Sequence, residues 1–157
     1  NSGAILLTDH NIKDFNRREL RDAFGMVLQD TWLFKGTIME NIRYGRLDAT
    51  NEQVIAAAKA ARAHHFIQTL PGGYDTVCTD GMFSQGEWQL LSIARAAAAD
   101  PAVLLLDEVT ANLDAETEAR VLEALRRASA GRTVLSVSHR IYENLGGRTV
   151  KIEPQSM

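Results

Sequence analysis

Two neighbouring carboxylates, Asp107 and Glu108, directly follow an aliphatic run from Val103 to Leu106. A continuous aliphatic run is typical of a buried strand, and ligands of α/β sheets bind beyond the carboxyl ends of such strands. At that place one carboxylate can hold Mg²⁺, usually through water, while its neighbour accepts a proton from an attacking water. Because an acidic pair is equally typical of a solvated strand end or a helix cap, the interpretation needs support from other residues.

Two further predicted strands end in polar side chains that suit the same chemistry. Gln29 follows the apolar run that begins at Phe24, and Ser138 with His139 follows the run that begins at Thr133. We expect these residues to converge with the acidic pair at one edge of the sheet. The set suits phosphoryl transfer to water, with the amide and the imidazole orienting the water and a γ-phosphate. A single histidine after a strand is, however, more often structural.

The segment FSQGE, from Phe83 to Glu87, supplies a second candidate site. Ser84 and Glu87 have the S-x-x-E spacing that predicts a capping box at the start of a helix. The same geometry leaves backbone N–H groups, a serine hydroxyl and the flexible Gly86 at the positive end of the helix, where phosphate binds well. Both interpretations can hold together.

Composition restricts the possible classes of protein. With 157 residues, 45% hydrophobic and 24% charged, the chain suits one ordinary globular domain. The net charge of −3 argues against a basic surface for nucleic acid, and the apolar runs are far shorter than the roughly 20 residues of a membrane helix. Cys78 is the single cysteine, which excludes an internal disulfide. Because the chain begins NSGAILL without methionine, we expect a truncated beginning.

The candidate residues lie at the ends of predicted strands and helices, which alternate along the chain. This alternation, with aliphatic strands that include a fully buried one at 102–107, predicts an α/β domain with a mainly parallel sheet. We expect a sheet core at about 1–42 and 100–157 and a helical subdomain, with the FSQGE segment, at about 43–99. The predicted strands are 4–9, 24–29, 102–107, 133–138 and 147–153, and the predicted helices are 50–70, 84–99 and 115–131.

Four ordered motifs, MVLQD, FSQGEWQLLSIARA, DPAVLLLDEVTANLD and TVLSVSHR, resemble those of the ATP-binding cassette (ABC) ATPases, most closely the nucleotide-binding domains of ABC exporters. The resemblance covers nearly the whole chain, from SGAILLTDHNI to GRTVKIE. It implies a partial P-loop NTPase-like sheet with an inserted α-helical subdomain, ATP and Mg²⁺ as cofactors, and ATP hydrolysis that powers export. It also implies a head-to-tail dimer with a second nucleotide-binding domain, a transmembrane domain as partner, no nucleic acid, and a location at the cytoplasmic face of the cell membrane.

The resemblance also implies roles for individual residues. Asp107 corresponds to the Walker B aspartate that holds Mg²⁺, Glu108 to the catalytic base and His139 to the switch histidine. Gln29 corresponds to the Q-loop glutamine, which contacts Mg²⁺ and the water. Five residues correspond to the signature motif and the D-loop aspartate, and the resemblance implies that they bind ATP: Ser84, Gln85, Gly86, Glu87 and Asp114.

The sequence departs from the family pattern in two places. No lysine follows a glycine in a G-x-x-x-x-G-K-[ST] phosphate loop, so we expect the chain to be the larger C-terminal portion of a cassette and to be inactive as an ATPase by itself. Glu87 puts a carboxylate where the family commonly has an amide. We expect this charge to weaken binding of a partner's ATP, less so if the helix cap engages Glu87.

Two alternatives remain open. One is a soluble ABC ATPase that acts on DNA or ribosomes, although no coiled coil separates Gln29 from Ser84. The other is a non-catalytic chain that only donates a signature face to a complete partner. The apolar residues Trp32, Leu33 and Phe34 are equally compatible with contact to a coupling helix of a membrane domain and with core packing.

Overall fold

A computed structural model describes residues 3–7, 9–29, 32–137, 146–148 and 150. Within these ranges, three parallel strands form a sheet in the order β3-β4-β5. Helices pack against this sheet, and the predicted α/β class with a parallel sheet is confirmed. The strands are β3 (Phe24–Val27), β4 (Val103–Asp107) and β5 (Thr133–Val137).

The sheet is covered on one face and open on the other. Leu104 and Leu106 of β4 are buried, whereas Leu105 is only half-buried and lies in register between Met26 and Leu135. Those two neighbours are 56% and 61% exposed. The prediction that this strand is fully buried was therefore wrong, because the row formed by Met26, Leu105 and Leu135 faces outward.

A short antiparallel hairpin precedes the sheet. Strand β1 (Leu6–Leu7) pairs with β2 (His10–Asn11), so the predicted strand at 4–9 is shorter than expected. Helix α1 (Arg17–Asp22) follows, and Asn16 caps its N-terminus in a capping box. Asn and Asp are good caps because their short side chains accept hydrogen bonds from the free N–H groups of the first turn.

Helices fill the chain between β3 and β4. The four helices that the structure describes there are α2 (Ile38–Arg43), α3 (Asn51–Ala60), α4 (His64–Thr69) and α5 (Gln85–Ala98). Thr50 caps α3 through the predicted capping box, in which the Gln53 N–H donates to Thr50 Oγ1 at 3.3 Å. The division of the chain into a sheet core and a helical subdomain stays a prediction.

The prediction of a single helix at 50–70 was wrong, because α3 ends at Ala60 and α4 begins at His64. The N–H of Ala63 donates to the carbonyl of Ala58, and the N–H of Arg62 donates to that of Lys59. This pair of bonds forms a Schellman ending, with Arg62 in the left-handed region at φ +55°. Because glycine normally marks this position and none is present, the sequence carried no stop signal there.

Helix α6 (Ala115–Ala128) connects β4 to β5 and packs against α5. The hydrophobic core lies between these helices, α2, α3 and the covered face of the sheet. None of the described helices combines the length and apolar content needed to cross a membrane. The predicted strand at 147–153 lies largely outside the described residues. The largest fully buried apolar side chains of the described core are Ile38, Ile42, Ile67, Leu91, Ile93, Leu104 and Leu125.

Candidate functional site

The carboxyl edge of the sheet brings together three of the predicted site residues. Asp107 is the last residue of β4 and lies opposite Val137 of β5. Gln29 follows the end of β3 by two residues, and Val27 of β3 lies opposite Leu106. Since both strand pairs are parallel, Gln29, Asp107 and Glu108 emerge at the same edge. Gln29 and Asp107 are exposed there and Glu108 is half-buried.

The backbone of Glu108 is strained. Its φ is +45°, in the left-handed region, which costs a non-glycine residue about 1–2 kcal/mol. The Glu108 N–H donates to Val137 O at 3.0 Å, and its carbonyl accepts from the Ala111 N–H at 3.0 Å. The next two residues, Val109 and Thr110, are each 1% exposed and anchor the turn. Such strain is concentrated at functional sites, where the surrounding structure holds it in place.

The fourth residue predicted at this edge, His139, lies outside the described residues, as does Ser138. The strand before them, β5, ends at Val137 beside Asp107.

Ser84 and Glu87 form the predicted capping box at the start of α5, which is confirmed. The Glu87 N–H donates to Ser84 Oγ at 3.3 Å, and the Ser84 N–H donates to Glu87 Oε2 at 2.8 Å. The Ser84 hydroxyl also donates to the same carboxylate oxygen at 2.9 Å. The Glu87 carboxylate therefore takes part in the cap, the condition under which we expect its charge to oppose a nearby phosphate less strongly.

The signature-like segment also contacts the start of α6. Gln85 Nε2 donates to the carbonyl of Ala111 at 3.4 Å, in the loop that follows Glu108. Gly86 is buried, and a Cβ at this position would overlap Cγ2 of Thr117. Glycine is therefore needed here for close packing of α5 against α6.

Asp114, the predicted D-loop residue, caps α6. Its Oδ1 accepts hydrogen bonds from the N–H groups of Glu116 at 3.1 Å and Thr117 at 3.0 Å. Hydrogen bonds from the Thr117 side chain, and then from its backbone, are the main causes that lower the pKa of Asp114. The N-terminal ends of α5 and α6, with Ser84 and Asp114 as their caps, are thus neighbours in the structure.

Helix α5 also supports the segment that follows β3, through residues that sequence reasoning missed. Gln89 is buried and its Nε2 donates to the carbonyl of Gln29 at 3.1 Å. Arg95 Nη1 donates to the carbonyl of Trp32 at 3.0 Å. Their signal in the sequence was a glutamine and an arginine within the apolar run WQLLSIARAAAA, because buried polar groups need hydrogen-bond partners.

Asn41 connects this segment to α2. It is fully buried, and its Oδ1 accepts from the Phe34 N–H at 3.1 Å and from Arg95 Nη2 at 3.1 Å. Its Nδ2 donates to the carbonyls of Phe34 and Thr37, each at 3.0 Å. Asn41 therefore holds the chain between Phe34 and Thr37 in a defined shape.

The oxygen-bearing side chains at the sheet edge fit Mg²⁺, which keeps several waters, better than a metal ion whose ligands all come from the protein. The described residues contain no group of three or more histidine, cysteine, aspartate or glutamate side chains that could enclose a metal ion. Mg²⁺ is a hard cation that keeps several waters and usually takes one or two carboxylates together with substrate phosphates. Asp107, exposed at the strand end beside Gln29, provides oxygen ligands of this kind.

Comparisons with known proteins show the family to which the chain belongs. The family model described as "ABC transporter" matches residues 1–111. The chain is 54% identical to an uncharacterized ABC transporter ATP-binding protein, YfiC, of Bacillus subtilis, over 90% of this chain and 24% of that protein. It is 47% identical to a fatty acid ABC transporter ATP-binding/permease protein of Mycobacterium bovis (89% and 22% covered) and 51% identical to a putative multidrug export ATP-binding/permease protein of Staphylococcus aureus (89% and 25% covered).

The chain belongs to the ABC transporter family, and the predicted family is confirmed. The exporter type within it is supported by relatives that are named as ATP-binding/permease and export proteins. The chain spans about a quarter of the length of these relatives.

Proposed function

We propose that this chain is part of an ABC exporter, in which it contributes the sheet edge and the signature-like segment to a nucleotide-binding domain that binds and hydrolyses ATP to drive transport. The observation that carries the proposal is the convergence of Gln29, Asp107 and Glu108 at one sheet edge, with Glu108 held in a left-handed conformation. Among the alternatives, relatives named as permease and export proteins favour transport over a soluble ATPase.

Each residue of the edge has a separate role in this proposal. Mg²⁺, when bound, neutralises charge on the phosphates of ATP. Asp107 holds this ion, directly or through water, with Gln29 beside it. Glu108 accepts the proton of the attacking water, and Gln29 orients that water. His139, outside the described residues, orients the γ-phosphate.

The α5 and α6 ends serve a second nucleotide-binding domain in this proposal. Ser84, with Gln85, Gly86 and Glu87, contacts the phosphates of an ATP held mainly by that partner, in a head-to-tail dimer. The free N–H groups and the positive end of α5 suit a phosphate, and the capped Glu87 leaves the position less repulsive. Asp114 lies at the adjacent end of α6, which supports its assignment to the same interface.

The transmembrane partner contacts the aromatic residues after β3 in this proposal. Trp32 and Tyr44 are each 53% exposed, and their ring centroids are 5.8 Å apart. Phe34 is less exposed and lies 5.7 Å from Tyr44, so this group is partly core and partly surface. A half-exposed aromatic group suits a protein partner, because aromatic residues are enriched in interfaces. In this proposal, the face with these aromatic residues is turned toward the membrane, on its cytoplasmic side.

The test compares two isosteric variants in the full-length protein. Glu108→Gln keeps size and hydrogen bonding but removes basicity, so we expect Mg-ATP to bind while single-turnover hydrolysis falls by about 100-fold or more. Because Glu108→Gln binds ATP without hydrolysing it, ATP-bound dimers should accumulate in this variant. Asp107→Asn should instead weaken Mg-ATP binding, and no such dimers should accumulate. Mg-ATP affinity, dimer fraction and single-turnover rate are measured for both.

Glu52→Gln is the matched control, because Glu52 is exposed on α3 and lies outside the sheet edge and the ends of α5 and α6. It should retain the parental rate and affinity. Hydrolysis by Glu108→Gln at the parental rate would remove Glu108 from the mechanism.

A further inference from the structure

Arg95 connects α5 to the chain that follows Gln29 through three hydrogen bonds. Its Nε donates to the carbonyl of Asn41 at 2.9 Å and its Nη2 to Asn41 Oδ1 at 3.1 Å. Its Nη1 donates to the carbonyl of Trp32 at 3.0 Å. The guanidinium carbon also lies 5.1 Å from the ring centroid of Trp32 and 5.8 Å from that of Tyr44. A planar guanidinium suits both kinds of contact, because it can donate several hydrogen bonds in its plane and also lie against aromatic rings.

Arg95 is partly buried, and a cation in such a place needs partners of this kind, because removal from water penalises its charged form. Burial lowers the pKa of Arg95, while the nearby Tyr44 and Cys78 raise it. Two of the acceptors belong to Asn41, which is itself fully buried and bonded to the backbone of Phe34. The guanidinium is therefore held in one place, and it holds the Trp32 carbonyl in turn.

A second bond from the same helix secures the other end of this segment. Gln89 lies six residues before Arg95 on α5, and its Nε2 donates to the carbonyl of Gln29. Helix α5 is thus bonded to the chain at Gln29 and again at Trp32. The same helix begins at the cap Ser84.

We propose that Arg95 is a positioning residue that holds Trp32 and Asn41, and with them the chain that follows Gln29, against α5, so that Gln29 and Ser84 keep a fixed relative position. The functional part of this inference rests on the proposed roles of Gln29 and Ser84 in ATP hydrolysis. The anchoring itself does not rest on them and can be measured separately.

Lysine cannot replace this anchor. The ammonium group is a compact charge with no planar fork, so it cannot reach the Trp32 carbonyl and both Asn41 oxygens while lying flat against two rings. Arg95→Lys should therefore keep the charge and lose part of the anchor. Arg95→Met should keep much of the packing and lose every hydrogen bond.

The experiment measures hydrogen exchange and steady-state ATP hydrolysis in the full-length protein. In Arg95→Met, we expect amide exchange in peptides covering 32–36 to rise about tenfold, because hydrogen bonds of a charged donor are lost. Turnover should fall, because the chain that follows Gln29 is held less firmly against α5. Arg95→Lys should lie between Arg95→Met and the parent in both measurements.

Two controls distinguish loss of the Arg95 anchor from a general loss of stability. Arg126→Met removes an exposed arginine of α6 and should change neither exchange at 32–36 nor turnover. Exchange in peptides of α4 should be unchanged in every variant, which shows that the domain is folded. A uniform rise across α4 and 32–36 would mean that Arg95 only stabilises the domain, and it would overturn the inference.

The inference and the proposed function fail in different ways. Unchanged exchange at 32–36 in Arg95→Met overturns the anchor, whatever the ATPase activity is. Raised exchange with parental turnover overturns the positioning role. Parental hydrolysis by Glu108→Gln would instead overturn the proposed catalytic role of Glu108, and the exchange result would still decide whether Arg95 is an anchor.

Discussion

Replacing Gly86 with alanine tests the close contact between α5 and α6. The added methyl would overlap Cγ2 of Thr117, whose Cβ lies 3.7 Å from the same position. Gly86 has no positive φ, so the backbone itself accepts alanine without strain. The effect of Gly86→Ala therefore comes from packing between the two helices.

The magnitude follows from two opposed contributions. Overpacking a tight contact costs about 1–3 kcal/mol, because side chains and backbone must shift. Alanine in place of glycine stabilises a helix by up to about 1 kcal/mol. We expect Gly86→Ala to lower the free energy of unfolding by about 1 kcal/mol, the difference between about 2 kcal/mol of overpacking and about 1 kcal/mol of helix propensity.

The sign should change when the overlapping atom is removed. Thr117→Ser deletes Cγ2 and keeps the hydroxyl and the backbone N–H that donates to Asp114. In this background Gly86→Ala should be neutral or stabilising. Thr133→Ser, the same change at an exposed position of β5, is the matched control and should leave the cost of Gly86→Ala unaltered.

The assay is urea unfolding of the parent, the single variants and the double variants, read as a double-mutant cycle. A coupling energy of about 1 kcal/mol or more between positions 86 and 117 is expected. Additive effects of Gly86→Ala and Thr117→Ser would refute the packing explanation. The glycine would then be needed for some other reason, such as access of a ligand to the backbone.

Two further predictions concern the helix caps. Ser84→Ala should lower stability by about 1 kcal/mol through loss of the cap and should reduce ATP-driven dimerisation of the full-length protein; a lower melting temperature with unchanged dimerisation would leave Ser84 as a cap alone. The folded-state pKa of Asp114 is lowered, so its contribution to stability is present above the ordinary aspartate pKa and is lost as the pH falls through the lowered value. The urea midpoint of Asp114→Asn should therefore fall less than that of the parent between pH 7 and pH 3, and an equal fall in both proteins would contradict the assignment.

Features that depend on neighbouring residues could be predicted from the sequence. The capping boxes at Thr50 and Ser84 are bonds between residues three positions apart, so the residue types alone indicated them. The end of α5 before Pro101 follows from the local chemistry of proline. The acidic pair was placed correctly at the end of β4, because a short aliphatic run followed by charge marks the end of a strand.

Features that depend on packing were missed or wrong. The break between α3 and α4 has Arg62 in a position that favours glycine, between Ala61 and Ala63, which are both fully buried. Both alanines of this turn pack in the core, and the helix propensities of the residues give no sign that the helix ends there. The open face of the sheet at Met26 and Leu135 was likewise invisible, because aliphatic residues alone do not show whether anything covers them.

The candidate site likewise has features that the sequence indicated and features that only the fold shows. The sequence by itself determined which residues could do the chemistry, since Gln29, Asp107 and Glu108 stand where predicted strands end. Only the tertiary structure decided what supports them, because the acceptors of Arg95 lie 54 and 63 positions away in the chain. A single arginine in an apolar helix indicates that acceptors must exist, but their identity depends on which distant backbone the folded chain brings beside it.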